Sequence, residues 1–275
     1  MSLVTDQAQS PPSPGARDVL TLAWPMTLKA VFLHGAVVID GWLVSSLGEV
    51  SLAAMGLAAA IGGVVLGIIF AFSHAMQIRT AQAVGVDDPV YLKSTLAAGL
   101  AISLAIGCVG VLLLSLVGRP LIGALAQSAE IAALSWSYLA VFQVVVLLEA
   151  LGQCLSSYFN GRGRTRIPLY GYCLSVPINL CTSVVLIHGL WGFPAFGVMG
   201  AAMGTAIGVA VQVGFFALRL WQLDRHLAQV RPWRQGSFAR STARHLRFSL
   251  PIATTFISAT VATHVCTLIY ARMAL

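Results

Sequence analysis

Long runs without a charged residue alternate with short polar segments along the chain. Twenty-nine residues from Val50 to Ile78, 25 from Ser94 to Gly118 and 24 from Phe248 to Ala271 contain no Asp, Glu, Lys or Arg. Each run exceeds the roughly 20 residues that an α-helix needs to cross about 30 Å of hydrocarbon. The pattern therefore predicts membrane-spanning helices.

The same pattern predicts an all-α, polytopic membrane protein with seven spans. Residues 167–218 carry no charge and must hold two spans, because 52 residues exceed twice a bilayer and GLWGFPAFG (189–197) supplies Gly and Pro between them. The predicted helices cover residues 19–44, 50–78, 94–117, 131–158, 168–188, 198–220 and 248–271. Residues 1–18, rich in Ser and Pro, are expected to form a disordered cytoplasmic tail.

Composition agrees with a protein whose main solvent is lipid. Hydrophobic residues make up 58% of the chain and charged residues only 9%, and the mean hydropathy is +0.86. Soluble chains carry about a quarter charged residues. The lipid bilayer is thus the first partner that the sequence predicts.

The net charge of +7 would suggest nucleic acid in a soluble protein, but its distribution indicates topology. With the N-terminus inside, thirteen Lys and Arg fall on the cytoplasmic side and two, Arg119 and Arg272, on the other. The cytoplasmic set is Arg17, Arg79, Lys93, Arg162, Arg164, Arg166, Arg219, Arg225, Arg231, Arg234, Arg240, Arg244 and Arg247. This asymmetry follows the positive-inside rule, so residues 221–247 are interpreted as a basic cytoplasmic linker and no nucleic-acid partner is expected.

Two carboxylates lie inside predicted spans. An ionised carboxylate in hydrocarbon costs roughly 2.5 to 17 kcal/mol and must face a cavity or a partner. Asp40 lies late in the first span, either as a cavity acid or as an interfacial acid beside Trp42 that reaches external water. Glu149 lies near the middle of the fourth span, one turn from Gln153, and fits either a cavity acid or a clamp between helices.

Further polar residues are expected near Asp40. Asn179 and Ser183, four residues apart, share one face of the fifth span just after Pro177, and Thr205 lies in the sixth. With Asp40 they could form a proton or sodium site, since both need a carboxylate and neutral oxygens in a semi-dry pocket. The alternative is that these residues simply join helices by hydrogen bonds.

Catalytic and nucleotide-binding motifs are absent from the sequence. There is no Gly-x-Ser-x-Gly, no His-Glu-x-x-His and no Walker-type phosphate loop. No enzyme activity, cofactor or metal is therefore predicted, and an ion gradient is the expected energy source.

Four segments together resemble the multidrug and toxic compound extrusion (MATE) family of transporters. They are LAWPMTLKAVFLHGAVVIDGWLVSSLGEVSLAAMGLA (22–58), RTAQAVGVDDP (79–89), YFNGRGRTRIPLYG (158–171) and GFPAFGVMGAAMGT (192–205). Each is weak alone, but all four occur in the family's order at the expected loops.

The resemblance implies a twelve-helix antiporter of two six-helix lobes in the inner (plasma) membrane. It would export organic cations, drugs or metabolites in exchange for protons or sodium. Residues 19–220 would form the N-lobe, and 248–275 the first helix of an incomplete C-lobe, with the rest of that lobe as the missing partner. The family's ion-coupling residues carry over to Asp40, Asn179 and Thr205, and its helix-one bend to Pro25.

The sequence departs from the family at two positions. Ser183 stands where several members have a second acid, and LPIATTFISAT (250–260) lacks the acid that others carry in helix seven. Glu149 is the candidate to replace the second N-lobe acid that is missing at Ser183, and the identity of the coupling ion stays open. The alternatives are a flippase for lipid-linked sugars, for which Lys29 is the available cavity base, and a non-functional truncated fragment.

Overall fold

A computed structural model describes residues 15–225 and 238–273, without the side chains of residues 260, 264, 267, 268 and 270–273. Within these ranges the chain forms seven α-helices and a short 3-10 turn, Leu190–Gly192. The α-helices are α1 (Ala16–Ser45), α2 (Glu49–Gly85), α3 (Pro89–Leu125), α4 (Ala129–Gly161), α5 (Arg166–His188), α6 (Val198–Leu223) and α7 (Phe238–Met273). The all-α prediction is confirmed.

Local sequence sets several helix ends. The Asp88 carboxylate accepts the backbone N–H groups of Val90 (2.8 Å) and Tyr91 (3.0 Å), which caps α3. The Ser128 hydroxyl likewise accepts the N–H of Ile131 at 3.1 Å and caps α4. α5 ends at Gly189, whose φ of 69° lies in the left-handed region that favours glycine.

Several helices are longer than the charge-free runs predicted. α2 and α3 extend to Gly85 and Leu125, because hydropathy marks only the hydrocarbon-crossing part of a helix that continues into the headgroup region. α7 is already helical at Phe238, where the described residues resume, ten residues before its predicted start. The end of the predicted linker is therefore helical, which its Ala and Arg content favours. Residues 226–237 of that linker and 1–14 of the predicted tail lie outside the described residues.

Six described helices, α1 to α6, are long and apolar enough to cross a membrane. α4 is central and packs against α2, α3 and α6, while α5 packs on α6 and α1. The main core contains fully buried side chains from several helices, among them Ile69, Leu139 and Val146. α7 packs against α2 and α3, with Phe256 stacked on His74 at 4.8 Å between ring centroids.

The α5–α6 contact depends on glycine. A Cβ added at Gly204 would lie 2.7 Å from the backbone N of Ser183, and one at Gly200 would lie 2.7 Å from the carbonyl carbon of Leu186. Small residues of this kind let membrane helices approach closely. The stripe thus brings Ser183 and the polar face of α5 against α6.

A second cluster of contacts joins the C-terminal ends of α4 and α6. Arg162, just after α4, forms an ion pair with Asp224, just after α6. The Tyr158 hydroxyl donates to the same carboxylate at 3.2 Å. Phe159 and Phe216 are fully buried beside it. This end of the six-helix bundle is therefore fixed by paired charges and aromatic packing.

Candidate ion and substrate site

A cavity of about 400 Å³ lies between α1, α2, α4, α5 and α6. Its volume falls within the range of about 300–1,000 Å³ that small-molecule sites occupy. Most of the wall is apolar or aromatic and includes Phe70, Tyr138 and Phe142. Both acids predicted within spans, Asp40 and Glu149, line it. The cavity thus combines an apolar body with two carboxylates.

Asp40 is the centre of the first polar group in the cavity wall. Its side chain is buried, with 7% exposure. The Asn179 amide nitrogen donates to both carboxylate oxygens, at 3.3 and 3.2 Å, and the Thr205 hydroxyl donates to one of them at 3.2 Å. No Lys, Arg or His in the described ranges forms an ion pair with Asp40. The carboxylate is therefore held by neutral donors alone.

Ser183 contacts Asp40 indirectly, through Asn179. Its hydroxyl donates to the Asn179 amide oxygen at 3.0 Å, so the amide nitrogen is the atom that faces Asp40. This orientation suits an ionised carboxylate without a bound cation. A sodium ion would need the reversed amide, in which the Asn179 oxygen faces the ion and the Ser183 oxygen accepts from the nitrogen.

Thr205 has two alternative acceptors. Its hydroxyl lies 3.2 Å from an Asp40 carboxylate oxygen and 3.0 Å from the backbone carbonyl oxygen of Ala201. A hydroxyl carries one proton and donates to one acceptor fully at a time. Thr205 can therefore donate to ionised Asp40, or turn to Ala201 and accept from protonated Asp40.

Glu149 belongs to a second polar group. It is buried, with 6% exposure, and accepts a hydrogen bond from the Gln153 amide at 2.8 Å, as their spacing predicts. The same amide nitrogen lies 2.7 Å from the Tyr172 hydroxyl on α5. Nearby, Ser175 donates to the Gln212 amide oxygen at 3.0 Å and joins α5 to α6.

Lys29 accompanies this second group. Its ammonium donates to the Ser156 hydroxyl on α4 at 2.7 Å and lies 5.4 Å from the centroid of the Tyr172 ring. It also interacts electrostatically with Glu149. The second acid therefore has a basic companion that Asp40 lacks.

The two polar groups lie at different depths. Tyr172 precedes Asn179 by seven residues on α5, and Gln212 follows Thr205 by seven on α6. Seven residues correspond to a rise of about 10 Å along a helix. We call the Asp40, Asn179, Ser183 and Thr205 group the outer layer, and the Glu149, Gln153, Tyr172 and Lys29 group the inner layer.

The structure brings together the four residues grouped in the sequence and places Glu149 in the same cavity, one layer away. α1 continues through Pro25 as one helix from Ala16 to Ser45, so a bend there stays a prediction. Sequence reasoning missed Ser156, Tyr172 and Gln212. Gln212, an amide in the charge-free part of α6, was the one visible signal.

The comparisons with known proteins agree with this fold. A model of the MatE family matches residues 25–185. The probable multidrug resistance protein NorM of Rhizobium meliloti (strain 1021) is 29% identical over 223 residues, which are 80% of this chain and 47% of that protein. Its counterpart in Bradyrhizobium diazoefficiens is 30% identical over 210 residues, covering 74% and 44% of the two chains.

Solved structures share the architecture. The eukaryotic MATE transporter AtDTX14 has a TM-score of 0.80 at 17% identity, over 93% of this chain and 56% of its own. A crystal structure of MATE in the bent conformation has a TM-score of 0.77 at 21% identity, over 90% and 54%. The chain spans about half the length of the curated relatives it matches. These relatives lend no support to the flippase alternative.

The family match covers more than half of the chain and reaches four of the five helices that line the cavity, α1, α2, α4 and α5. The chain therefore belongs to the MatE family, the multidrug and toxic compound extrusion family that its motifs predict.

Proposed function

We propose that α1 to α6 form the N-lobe of a secondary antiporter, with α7 as the first helix of a second lobe. The antiporter exports organic cations, drugs or metabolites in exchange for protons or sodium across the inner membrane. MatE proteins are multi-pass transporters rather than enzymes, so the mechanism needs binding and conformational change but no covalent chemistry.

One observation carries the proposal: Asp40 is a buried carboxylate on a cavity wall, and its hydrogen-bond donors within the described part of the chain are all neutral. An acid with no charged partner changes the local charge when it takes up a proton or a sodium ion. Thr205 and Asn179 can each reverse their hydrogen bonds to suit the new state. The site is therefore built to accommodate two charge states.

Coupling follows from the position of that charge. Ionised Asp40 attracts a cationic substrate into the cavity, and neutralised Asp40 releases it while lowering the cost of burying the carboxylate. The two states then favour different arrangements of α1 relative to α5 and α6, which is the requirement for alternating access. The apolar and aromatic wall suits an amphipathic cation such as ethidium.

The test is efflux of ethidium by the protein encoded by the intact gene, reconstituted in liposomes with an imposed proton or sodium gradient. Asp40→Asn keeps the size and hydrogen bonds of the side chain but cannot change charge, and should abolish gradient-driven accumulation. Asp87→Asn, an exposed acid in the α2–α3 turn, is the matched control and should transport normally. Accumulation by Asp40→Asn at the normal rate would reject the proposal, and the arm that drives efflux identifies the ion.

A further inference from the structure

A second cavity, of about 540 Å³, lies apart from the cavity that Asp40 and Glu149 line, at the end of the bundle where the basic segments are. It is formed by the second turn of α1, the α4–α5 loop, the start of α5 and the end of α6. The charge distribution predicts that this end faces the cytoplasm. The second cavity shares no lining residue with the cavity at Asp40.

Three arginines, Arg164, Arg166 and Arg219, line this cavity, and none of the described residues in its wall is acidic. The nearby acids are otherwise engaged. Asp18, one turn before the cavity residue Thr21, accepts the backbone N–H of Gly15 at 3.1 Å, and Asp224 is paired with Arg162. We call this site the arginine pocket.

Aromatic rings orient two of the three arginines. Arg166 lies over the Trp24 ring at 6.0 Å, and Arg219 lies over the Phe215 ring at 5.3 Å. The Nη1 atom of Arg164 is buried and has no hydrogen-bond partner among residues 15–225 and 238–273. A buried guanidinium donor without an acceptor is costly. The donors in the pocket therefore favour binding of an anion with several acceptor oxygens.

Local backbone adds to the positive field. α5, 23 residues long, begins at Arg166, and the N-terminus of a helix carries partial positive charge that favours phosphate groups. The first turn of α5 thus reinforces three full charges in the same wall.

The rim of the pocket identifies the source of the anion. Leu22 and Leu223, which line the pocket, are 44% and 37% exposed, and Tyr170 is 50% exposed beside them. These residues lie at the ends of spanning helices, where headgroups meet acyl chains and aromatic residues are typical. A free phosphate needs no apolar rim, whereas a phospholipid places its acyl chains along one.

We propose that the arginine pocket binds the phosphate headgroup of an anionic phospholipid. Its walls come from α1 on one side and from α5 and α6 on the other. A bound headgroup therefore ties the start of α1 to the two helices that carry Asn179 and Thr205. Lipid binding at this site stabilises this arrangement of α1, α5 and α6.

The experiment is native mass spectrometry of the detergent-purified protein titrated with phosphatidylglycerol, with phosphatidylcholine, and with inorganic phosphate as a competitor. One tightly bound phosphatidylglycerol is expected, with little binding of phosphatidylcholine. Inorganic phosphate at millimolar concentration should not displace the lipid. Displacement by phosphate would overturn the proposal in favour of a soluble ligand.

Substitution locates the site. Each arginine near a headgroup contributes about fivefold in affinity, so Arg164→Gln with Arg219→Gln should weaken phosphatidylglycerol binding about 30-fold. Arg244→Gln with Arg247→Gln removes the same charge from exposed positions on α7 and should change binding less than twofold. Equal losses in both pairs would show general attraction to basic surface and would overturn the proposal.

A second variant tests the pocket without removing an arginine. Thr21 is exposed on α1 and lines the pocket, so Thr21→Glu adds a carboxylate to the wall while the helix stays intact. It should weaken phosphatidylglycerol binding at least tenfold at an unchanged melting temperature. Full lipid binding by Thr21→Glu would contradict the assignment of this pocket.

Discussion

The outer and inner layers of the cavity each contain one buried acid, but the groups around the two acids differ in charge. Asp40 in the outer layer is held by Asn179 and Thr205, both neutral. Glu149 in the inner layer accepts from Gln153 and has the Lys29 ammonium nearby. A nearby base opposes neutralisation of an acid, so Glu149 is less suited than Asp40 to exchanging a proton, although its charge can still attract a cationic substrate. The contrast suggests that Asp40 couples transport to the ion and that Glu149 shapes the substrate site.

The two acids give the largest predicted difference. Asp40→Asn should lower gradient-driven efflux at least about 100-fold, because the charge change that provides coupling is lost. Glu149→Gln should raise the KM for ethidium about tenfold and leave the ion dependence of efflux unchanged. Proteoliposome transport at varied substrate and ion concentrations separates the two effects.

That pair of variants also tests whether Glu149 replaces the acid that other family members carry at the Ser183 position. If Glu149→Gln changed the ion dependence as Asp40→Asn does, both acids would belong to one coupling site. Full efflux by Glu149→Gln with loss in Asp40→Asn would exclude Glu149 from coupling.

The close α5–α6 approach behind the outer layer gives the next effect. Gly204→Ala would place a Cβ 2.7 Å from the Ser183 backbone N, and overpacking of this kind costs about 1–3 kcal/mol. Gly214→Ala on the same helix meets nothing within 4 Å and should be neutral or slightly stabilising. Thermal unfolding in detergent should show a lower melting temperature for the first variant only; equal melting temperatures would contradict the packing.

Asn179→Ala should have a smaller effect, confined to the outer layer. It removes the donor shared by both Asp40 oxygens, and a hydrogen bond to a charged group contributes about 1.5–3 kcal/mol. With a proton as the coupling ion, the proton concentration for half-maximal efflux should fall about tenfold, because the ionised carboxylate has lost a donor that stabilised it against protonation. With sodium, the half-maximal concentration should rise, because the Asn179 oxygen is then lost as a ligand. Thr182→Ala, whose hydroxyl donates to the Ile178 carbonyl at 2.7 Å, is the matched control on α5.

The smallest effect is expected at Lys29. Two unit charges about 15 Å apart, here the Lys29 ammonium and a cationic substrate in the cavity, repel each other by about 1 kcal/mol at an effective dielectric constant near 20. Lys29→Met should therefore tighten binding of ethidium about fivefold by removing a repelling charge from the inner layer. Lys29→Arg keeps that charge and should bind ethidium normally; unchanged affinity in Lys29→Met would show that Lys29 does not influence the cavity.

Much of the fold could be predicted because its signals are local. Charge-free runs located the spans, Gly and Pro separated α5 from α6, and a late Asp40 with Asn179, Ser183 and Thr205 was recognisable as one candidate group. The helix ends were less predictable. α7 is already helical at Phe238, before the charge-free run begins, because helical propensity and packing on α2 extend beyond the hydrophobic stretch.

The inner layer could not be read in the same way. Lys29, Ser156 and Tyr172 are isolated polar residues on three helices, and each alone resembles ordinary helix-joining residues. Their grouping depends on how α1, α4 and α5 are rotated about their axes. The arginine pocket is similar, since Arg219 is 53 residues from Arg166 in the chain but lines the same wall.

By itself the sequence determined that this protein is a bundle of membrane helices, with its basic segments on one side and few buried charges. Burying a charge in lipid is so costly that membrane-spanning segments contain few charged residues, and this scarcity is visible in the sequence. Only the tertiary structure decided which of the two buried acids has a basic companion and which does not. That difference depends on distances of a few ångströms between side chains on separate helices, and glycine contacts between α5 and α6 fix part of them.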